Sequence, residues 1–155
     1  MITTKFNIKP KILIKSFYNT FLGLLIKNGD LVSAKVLLDQ AFTAVLKTIE
    51  IPFHLILFKI ILLLNIFVEV KQIKKYKKFN YYVPFPITLK RKLYLSVKWI
   101  INSALEDKRR LPFFEKISHE IVLLLTNKSV SKSYKKKHKN LDLAMANKPN
   151  VHFRW

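Results

Sequence analysis

The chain has 155 residues, half of them apolar, which is enough for one domain with its own core and too hydrophobic for a charged disordered tail. Its 29 basic residues face nine acidic ones, and a formal charge of +20 disfavours a compact state unless a polyanion neutralises it, so nucleic acid and anionic membrane are the natural partners. Cysteine is absent and glycine occurs twice, which excludes disulfides, thiolate zinc sites, a cysteine nucleophile, a phosphate-cradling loop and a dinucleotide fingerprint.

The charge is directed. Residues 1–70 are net +4, residues 71–110 net +10 and residues 111–155 net +6. Residues 1–16 read as a basic N-terminal arm with Lys5, Lys9, Lys11 and Lys15. Lysines at 5 and 9 and Pro10 interrupt any apolar core there, so no secretory signal is expected. An aromatic-rich apolar run from Phe17 to Ile26 predicts a helix that stops at Asn28-Gly29, with Asp30 as the next N-cap. Val32, Val36, Ala41, Val45 and Ile49 then form the predicted stripe of a second helix. Past Pro52, IPFHLILFKIILLLNIFV (residues 51–68) is the most apolar segment, at the lower margin for spanning a bilayer. Lys59 lies at its centre and His54 and Asn65 flank it, so a buried core helix is expected, with a membrane span as the alternative.

The next stretch, KKYKKFNYYVPFP (residues 74–86), mixes lysines with aromatics and holds no acid. Phe79, Tyr81, Val83, Phe85 and Ile87 alternate, as do Val68 and Val70, so a two-stranded hairpin is predicted at about 68–88 with a lysine-rich tip. Pro84 and Pro86, two apart, turn their missing N–H groups to one edge, which cannot accept a neighbouring strand. Two uses of this ribbon stay open: a solvated hairpin whose prolines prevent aggregation, or an RNA-facing one in which lysines meet phosphates and rings stack on bases. Tyr81 and Tyr82 point to opposite faces, so only one can stack outward.

A fourth helix follows, capped by Thr88, with Leu93, Val97, Ile100 and Ala104 as its apolar stripe and Lys90, Arg91, Lys92 and Lys98 off it. Lys108, Arg109 and Arg110 precede Pro112 and a fifth helix built on Phe113, Ile117, Ile121 and Leu124. SVSKSYKKKHKN opens a basic sixth helix with Lys132, Lys135, Lys136 and Lys137, and residues 148–155 form a tail. Trp99 is expected to anchor its helix in the core; Trp155 is open between RNA and its own last helix. The pattern is therefore mainly α: about six helical segments over residues 17–147, a two-stranded hairpin between the third and fourth, and basic extensions at both ends.

Catalysis is not expected. His54, His119, His138 and His152 are scattered, and His119-Glu120 lacks the second histidine of a zinc-protease motif. No cofactor and no metal are expected. The sequon Asn127-Lys128-Ser129 is of a length that arises by chance.

Several blocks carry a resemblance. VEVK at 68–71 and YYVPFPITLKRKLYLSVKW at 81–99 resemble the hairpin and following helix of the ribosomal protein S-seven family, with its VEVKSRRVGG strand and YQVPVEVxPxRRxxLAxRW block. Val83, Pro84, Arg91, Lys92, Leu95, Lys98 and Trp99 fall on matching positions. ANKPNVHFRW is similar to the ending ANKAFAHYRW, through Ala146, Asn147, Lys148, His152, Arg154 and Trp155, and Lys135, Lys136 and Lys137 fall where the family has KKR. FLGLLIKNGDLVSAKVLLDQAF resembles the opening FINxLMxDGKKSxAxxIVYxAL. The departures are local: Asp30 and Leu31 replace two lysines, Lys74–Lys78 replace the Gly-Gly tip, Thr88 stands for an arginine and Leu89 for a proline, and Leu141-Asp142 occupy a His-Arg pair.

The resemblance implies a compact bundle of about six helices with a protruding two-stranded β-hairpin, in a structural protein of the small ribosomal subunit that binds the 3′ major (head) domain of small-subunit rRNA and starts assembly of the head. It implies neighbouring head and platform proteins, with exit-site tRNA and mRNA nearby, and no membrane span. The RNA-binding residues so expected are Lys5, Lys9, Lys11, Lys15, Lys71, Lys74, Lys75, Tyr76, Lys77, Lys78, Tyr82, Lys90, Arg91, Lys92, Lys98, Lys108, Arg109, Arg110, Lys132, Lys135, Lys136, Lys137, Lys148, His152, Arg154 and Trp155. A composition rich in Ile, Lys, Leu, Phe and Asn points to an AT-rich genome, hence to a mitochondrial ribosome, with a plastid or an AT-rich bacterium as the competing sources.

Overall fold

The computed structural model describes residues 10–75 and 79–154, with the backbone but not the side chains of Pro10, Lys74, Lys75, Phe79 and Asn80. Six α-helices, one hairpin and a short 3-10 helix follow one another: α1 (Pro10–Leu25), α2 (Leu31–Thr48), α3 (Phe53–Leu64), β1 (Val68–Lys75), β2 (Phe79–Pro86), α4 (Leu89–Leu105), α5 (Phe113–Thr126), α6 (Lys132–Ala146) and the closing turn Lys148–Phe153. The protein is mainly α, with the hairpin inserted between the third and fourth helices.

Helix α1 starts at Pro10, inside the stretch assigned to the arm, so Lys11 and Lys15 are exposed helical residues. Proline at the first helical position loses no hydrogen bond and has its φ preset. Leu13, Phe17, Phe21 and Leu25, each four apart, are all buried and carry the helix that far upstream. The α1–α2 turn uses two left-handed residues, Asn28 (φ 52°) and Gly29 (φ 80°), a conformation that asparagine and glycine tolerate. Asp30 then caps α2 as expected, accepting from Ser33 Oγ and, at 3.0 Å, from Ser33 N; the hydroxyl bond first and the backbone bond second hold its carboxyl below the usual range.

The stripe of α2 agrees with expectation at Ala41 and Val45 and differs in its first half. Val32 and Val36 are 73% and 50% exposed, whereas Ala34, Leu38, Ala41, Phe42 and Val45 are buried. Both sets have helical spacing; Phe42 decides between them. Its ring meets Phe21 at 6.0 Å and Phe53 at 5.0 Å, edge to face, in a chain that continues through Phe17. Such aromatic pairs add about 0.5–1.5 kcal/mol beyond area burial. Turning Phe42 inward brings Leu38 and Ala34, four and eight residues earlier, inward with it and carries Val36 and Val32 out.

Helix α3 has 12 residues, about 18 Å by helical rise against the roughly 30 Å hydrocarbon layer. Ile56, Leu57, Ile60, Ile61 and Leu64 are buried, and His54 and Lys59 face out. No described helix is long and apolar enough to cross a membrane. The apolar run is a core helix.

Helix α4 buries Leu93, Val97, Ile100 and Ala104, and α5 buries Ile117, Ile121 and Leu124 with Phe113 half-buried, as their periodicity requires. Thr88 holds the N-cap position of α4, but its hydroxyl makes no capping bond. Pro112 sits one residue before α5. Trp99 is half-buried. Helix α6 lies on the outside and buries only Ser133. Its anchor is a polar knot absent from the sequence-based expectation: Glu120 of α5, 5% exposed, accepts through Oε1 from Ser131 Oγ (2.7 Å), Ser133 N (2.8 Å) and Ser133 Oγ (2.8 Å). Ser103 of α4 lies 3.2 Å from Ser133 Oγ. A buried carboxylate is tolerable when donors converge on it in this way, and here three bonds to Oε1 join α5 to the N-terminus of α6, with α4 reached through Ser103.

Candidate nucleic-acid interface

The hairpin pairs Val68 with Pro86, Val70 with Pro84 and Lys71 with Val83, antiparallel. Ile87 donates to Phe67 O at 3.2 Å, so Ile87, Phe85 and Val83 turn their backbone groups toward β1 while Pro86, Pro84 and Tyr82 turn theirs outward. The prolines therefore lie on the outer edge, as their spacing requires. The outward carbonyls of that edge are filled by the closing turn: Asn150 Nδ2 donates to Tyr82 O at 3.2 Å and Arg154 Nε to Pro84 O at 3.0 Å. Phe153 packs its ring 5.0 Å from Tyr81. Tyr82 is the outward ring, 48% exposed.

The other strand is clamped as well. Asn140 of α6 donates to Val68 O at 2.9 Å. Just before the strand, the last carbonyls of α3 accept from Lys137 Nζ (Leu63 O, 2.7 Å) and from Ser96 Oγ (Leu64 O, 3.3 Å). A lysine at a helix C-terminus satisfies orphan carbonyls and meets the negative end of the dipole. Lys137, half-buried, has its pKa lowered by that burial. The hairpin thus leaves the bundle with both strands held at the root.

Cations gather there. Arg91 makes a two-pronged contact with Glu69, Nη2 to Oε1 at 2.7 Å and Nε to Oε2 at 3.0 Å. This bond holds the Glu69 carboxyl below its usual range and raises Arg91. Arg91 also lies over the Tyr94 ring at 5.0 Å, with Lys98 at 5.6 Å from the same ring. Lys92 covers Phe67 at 4.1 Å and Lys71 covers Phe85 at 5.3 Å; burial lowers the Lys92 pKa. Lys90 is exposed beside them. Glu69 is the one acid among these root residues, so the local field stays strongly positive.

A second group lies at the other end of α4. Arg109, Lys132 and Lys136 approach Glu106 and Asp107, with Lys108 and Arg110 beside them in the chain. Arg109 grips Asp107, Nε to Oδ2 at 2.9 Å, and holds that carboxyl far below its usual range. Lys136 Nζ lies 2.8 Å from Glu106 Oε1, and Lys132 Nζ donates to Glu106 O at 3.4 Å. The 17 residues of α4 separate the two groups by about 25 Å. The second group sets two acids against its five cations, the root group only Glu69 against Lys71, Lys90, Arg91, Lys92 and Lys98.

Of the other expected site residues, Lys11, Lys15, Lys135, Lys148 and His152 are exposed. Lys74 and Lys75 lie on β1 near the tip, and Lys5, Lys9, Tyr76, Lys77, Lys78 and Trp155 lie outside the described residues. The structure adds Glu69, Phe67 and Tyr94, which orient the root cations. A lone acid inside a basic ribbon was the available signal for Glu69; nothing in periodicity marked the two rings. Among the described residues no cluster of three or more His, Asp or Glu side chains is placed to hold a metal ion.

A basic helical bundle that grips a two-stranded hairpin with its own α4, α6 and closing turn is the class that this architecture defines. The chain belongs to the family described as ribosomal protein S7p/S5e, whose model matches residues 2–148. It is 38% identical over 77 residues to the small ribosomal subunit protein uS7m of Gallus gallus, covering 49% of this chain and 32% of that protein. To uS7m of Mus musculus it is 37% identical over 76 residues, 48% and 31% of the two chains. To the small ribosomal subunit protein uS7 of Thermosipho africanus it is 36% identical over 76 residues, 49% and 47% of the two. The match thus spans about a third of the two vertebrate relatives and about half of the bacterial one.

Proposed function

We propose that the chain is a structural protein of the small subunit of a mitochondrial ribosome. It binds the 3′ major (head) domain of small-subunit rRNA, starts assembly of the head beside its neighbouring head and platform proteins, and lies near the exit-site tRNA and the mRNA path. The observation that carries this reading is the family match over residues 2–148. The root of the hairpin supports it physically: Lys71, Lys90, Arg91 and Lys98 are exposed on a rigid base next to an outward Tyr82. Lysines and arginines there release counterions from phosphates, and the fixed arrangement selects a folded shape. The mitochondrial assignment rests on relatives named as uS7m in vertebrates and in Drosophila melanogaster, together with the AT-type composition.

The test is incorporation. Lys90→Glu with Lys98→Glu, both exposed, is expected to abolish entry into small subunits and to weaken binding to a head-domain rRNA fragment by at least 100-fold. The logarithm of wild-type affinity should fall with the logarithm of salt concentration by about 0.7–0.9 per phosphate contacted. Normal incorporation of the double variant rejects the hairpin-root interface. Equal binding of the wild-type chain to unrelated folded RNAs favours a free-standing RNA-binding module instead.

A further inference from the structure

A groove of about 440 Å³ opens between the hairpin root and the start of α4, lined by Glu69, Lys71, Phe85, Thr88 and Arg91 among others. An acid in the middle of a surface built to attract a polyanion is electrostatically adverse, and its geometry says what it is there for. Glu69 takes the Nε–Nη2 edge of Arg91 through both carboxylate oxygens. One face of the guanidinium lies over Tyr94, 5.0 Å from the ring centre. An arginine fork has a second edge, Nη1–Nη2, that matches the oxygens of one phosphate. With one edge and one face committed, that second edge is what Arg91 has left to offer a ligand, and its side chain lines the groove and remains 44% exposed. An unpaired surface arginine would instead sweep many rotamers and take any phosphate within reach.

We propose that Glu69 is a specificity-determining residue of the RNA-binding surface: it fixes Arg91 so that the groove takes one phosphate in one orientation, and it repels RNA that presents phosphates elsewhere around the root. Glu69 acts through Arg91 and is a positioning residue. This inference rests on the RNA-binding reading above, and its signature is opposite in sign to simple charge counting. Removing an acid from a cationic surface raises affinity for all RNA alike; removing a positioning acid raises affinity for the wrong RNA and not for the right one.

The experiment compares the full chain with Glu69→Gln, Arg91→Lys and the double variant, in binding to a head-domain rRNA fragment and to an unrelated folded RNA at the same salt. Glu69→Gln is expected to bind the unrelated RNA about 5- to 10-fold more tightly and the head fragment no more tightly than wild type, so that discrimination falls about tenfold. Arg91→Lys keeps the charge but has no fork, and is expected to lose discrimination to a similar extent. In the Arg91→Lys background, Glu69→Gln is expected to cause no further loss, a non-additivity that a general effect on folding does not produce. Equal strengthening toward both RNAs, or losses that multiply in the double variant, overturns the inference. A wild-type chain that shows no preference for the head fragment fails at the earlier step and sinks the RNA-binding reading itself.

Discussion

Replacing Glu120 tests whether the polar knot, and not apolar packing, seats α6 on the bundle. Helix α6 buries only Ser133, so little hydrophobic area holds it. Three donors converge on Glu120 Oε1 at 2.7–2.8 Å, in a residue 5% exposed. Hydrogen bonds to a charged group contribute about 1.5–3 kcal/mol each, and a donor left buried without a partner costs about 1–3 kcal/mol. The three share one acceptor and do not add, so Glu120→Ala is expected to lose about 3–5 kcal/mol. That is a large fraction of the roughly 5–15 kcal/mol that holds a domain together. Glu120→Gln keeps an oxygen at the same place and should lose only about 1–2 kcal/mol. Urea unfolding followed by circular dichroism reads both, at about 0.5 M salt so that the +20 charge is screened. A Glu120→Ala protein within about 1 kcal/mol of wild type, or a glutamine variant as damaged as the alanine one, refutes the assignment.

The paired lysines Lys135 and Lys137 should separate. Lys137→Met strands the Leu63 carbonyl and is expected to cost about 1–3 kcal/mol of stability, whereas Lys135→Met, exposed, should leave unfolding unchanged and weaken RNA binding. On α2, Phe42→Ala should cost about 3–5 kcal/mol and Val36→Ala less than about 0.5, and equal losses in denaturant melts would count against the observed stripe. Arg91 lowers the pKa of Glu69 below its ordinary 4.5, so the folded state holds fewer protons on that group. Its stabilising contribution is present above about pH 4.5 and disappears as pH falls through the lowered value. Wild type and Glu69→Gln should therefore differ in stability at neutral pH and converge in acid; a constant gap across that range means that the ion pair is not the cause.

Much of this fold was legible in the chain, because its signals are local. A period of 3.6 marked α4 and α5, a period of 2 the hairpin, and continuous apolar runs most of α1 and α3, while the spacing of Pro84 and Pro86 determined which edge of the ribbon cannot extend. Asp30 before Ser33 marked the start of α2. The surplus of cations past residue 70 pointed to a polyanionic partner, nucleic acid or an anionic membrane.

What the tertiary structure decided are the questions a local pattern leaves balanced. In the first half of α2, Val32 and Val36 have helical spacing as good as that of Ala34 and Leu38, and packing of Phe42 against the rings of Phe21 and Phe53 selected the latter pair. Lysines in a run look alike in sequence. Lys137 is nonetheless committed to a carbonyl 74 residues away, Arg154 to one 70 residues away, and Arg91 to an acid 22 residues away. A charge announces that it needs a counter-charge or an acceptor, but which one it meets depends on packing between elements far apart in the chain.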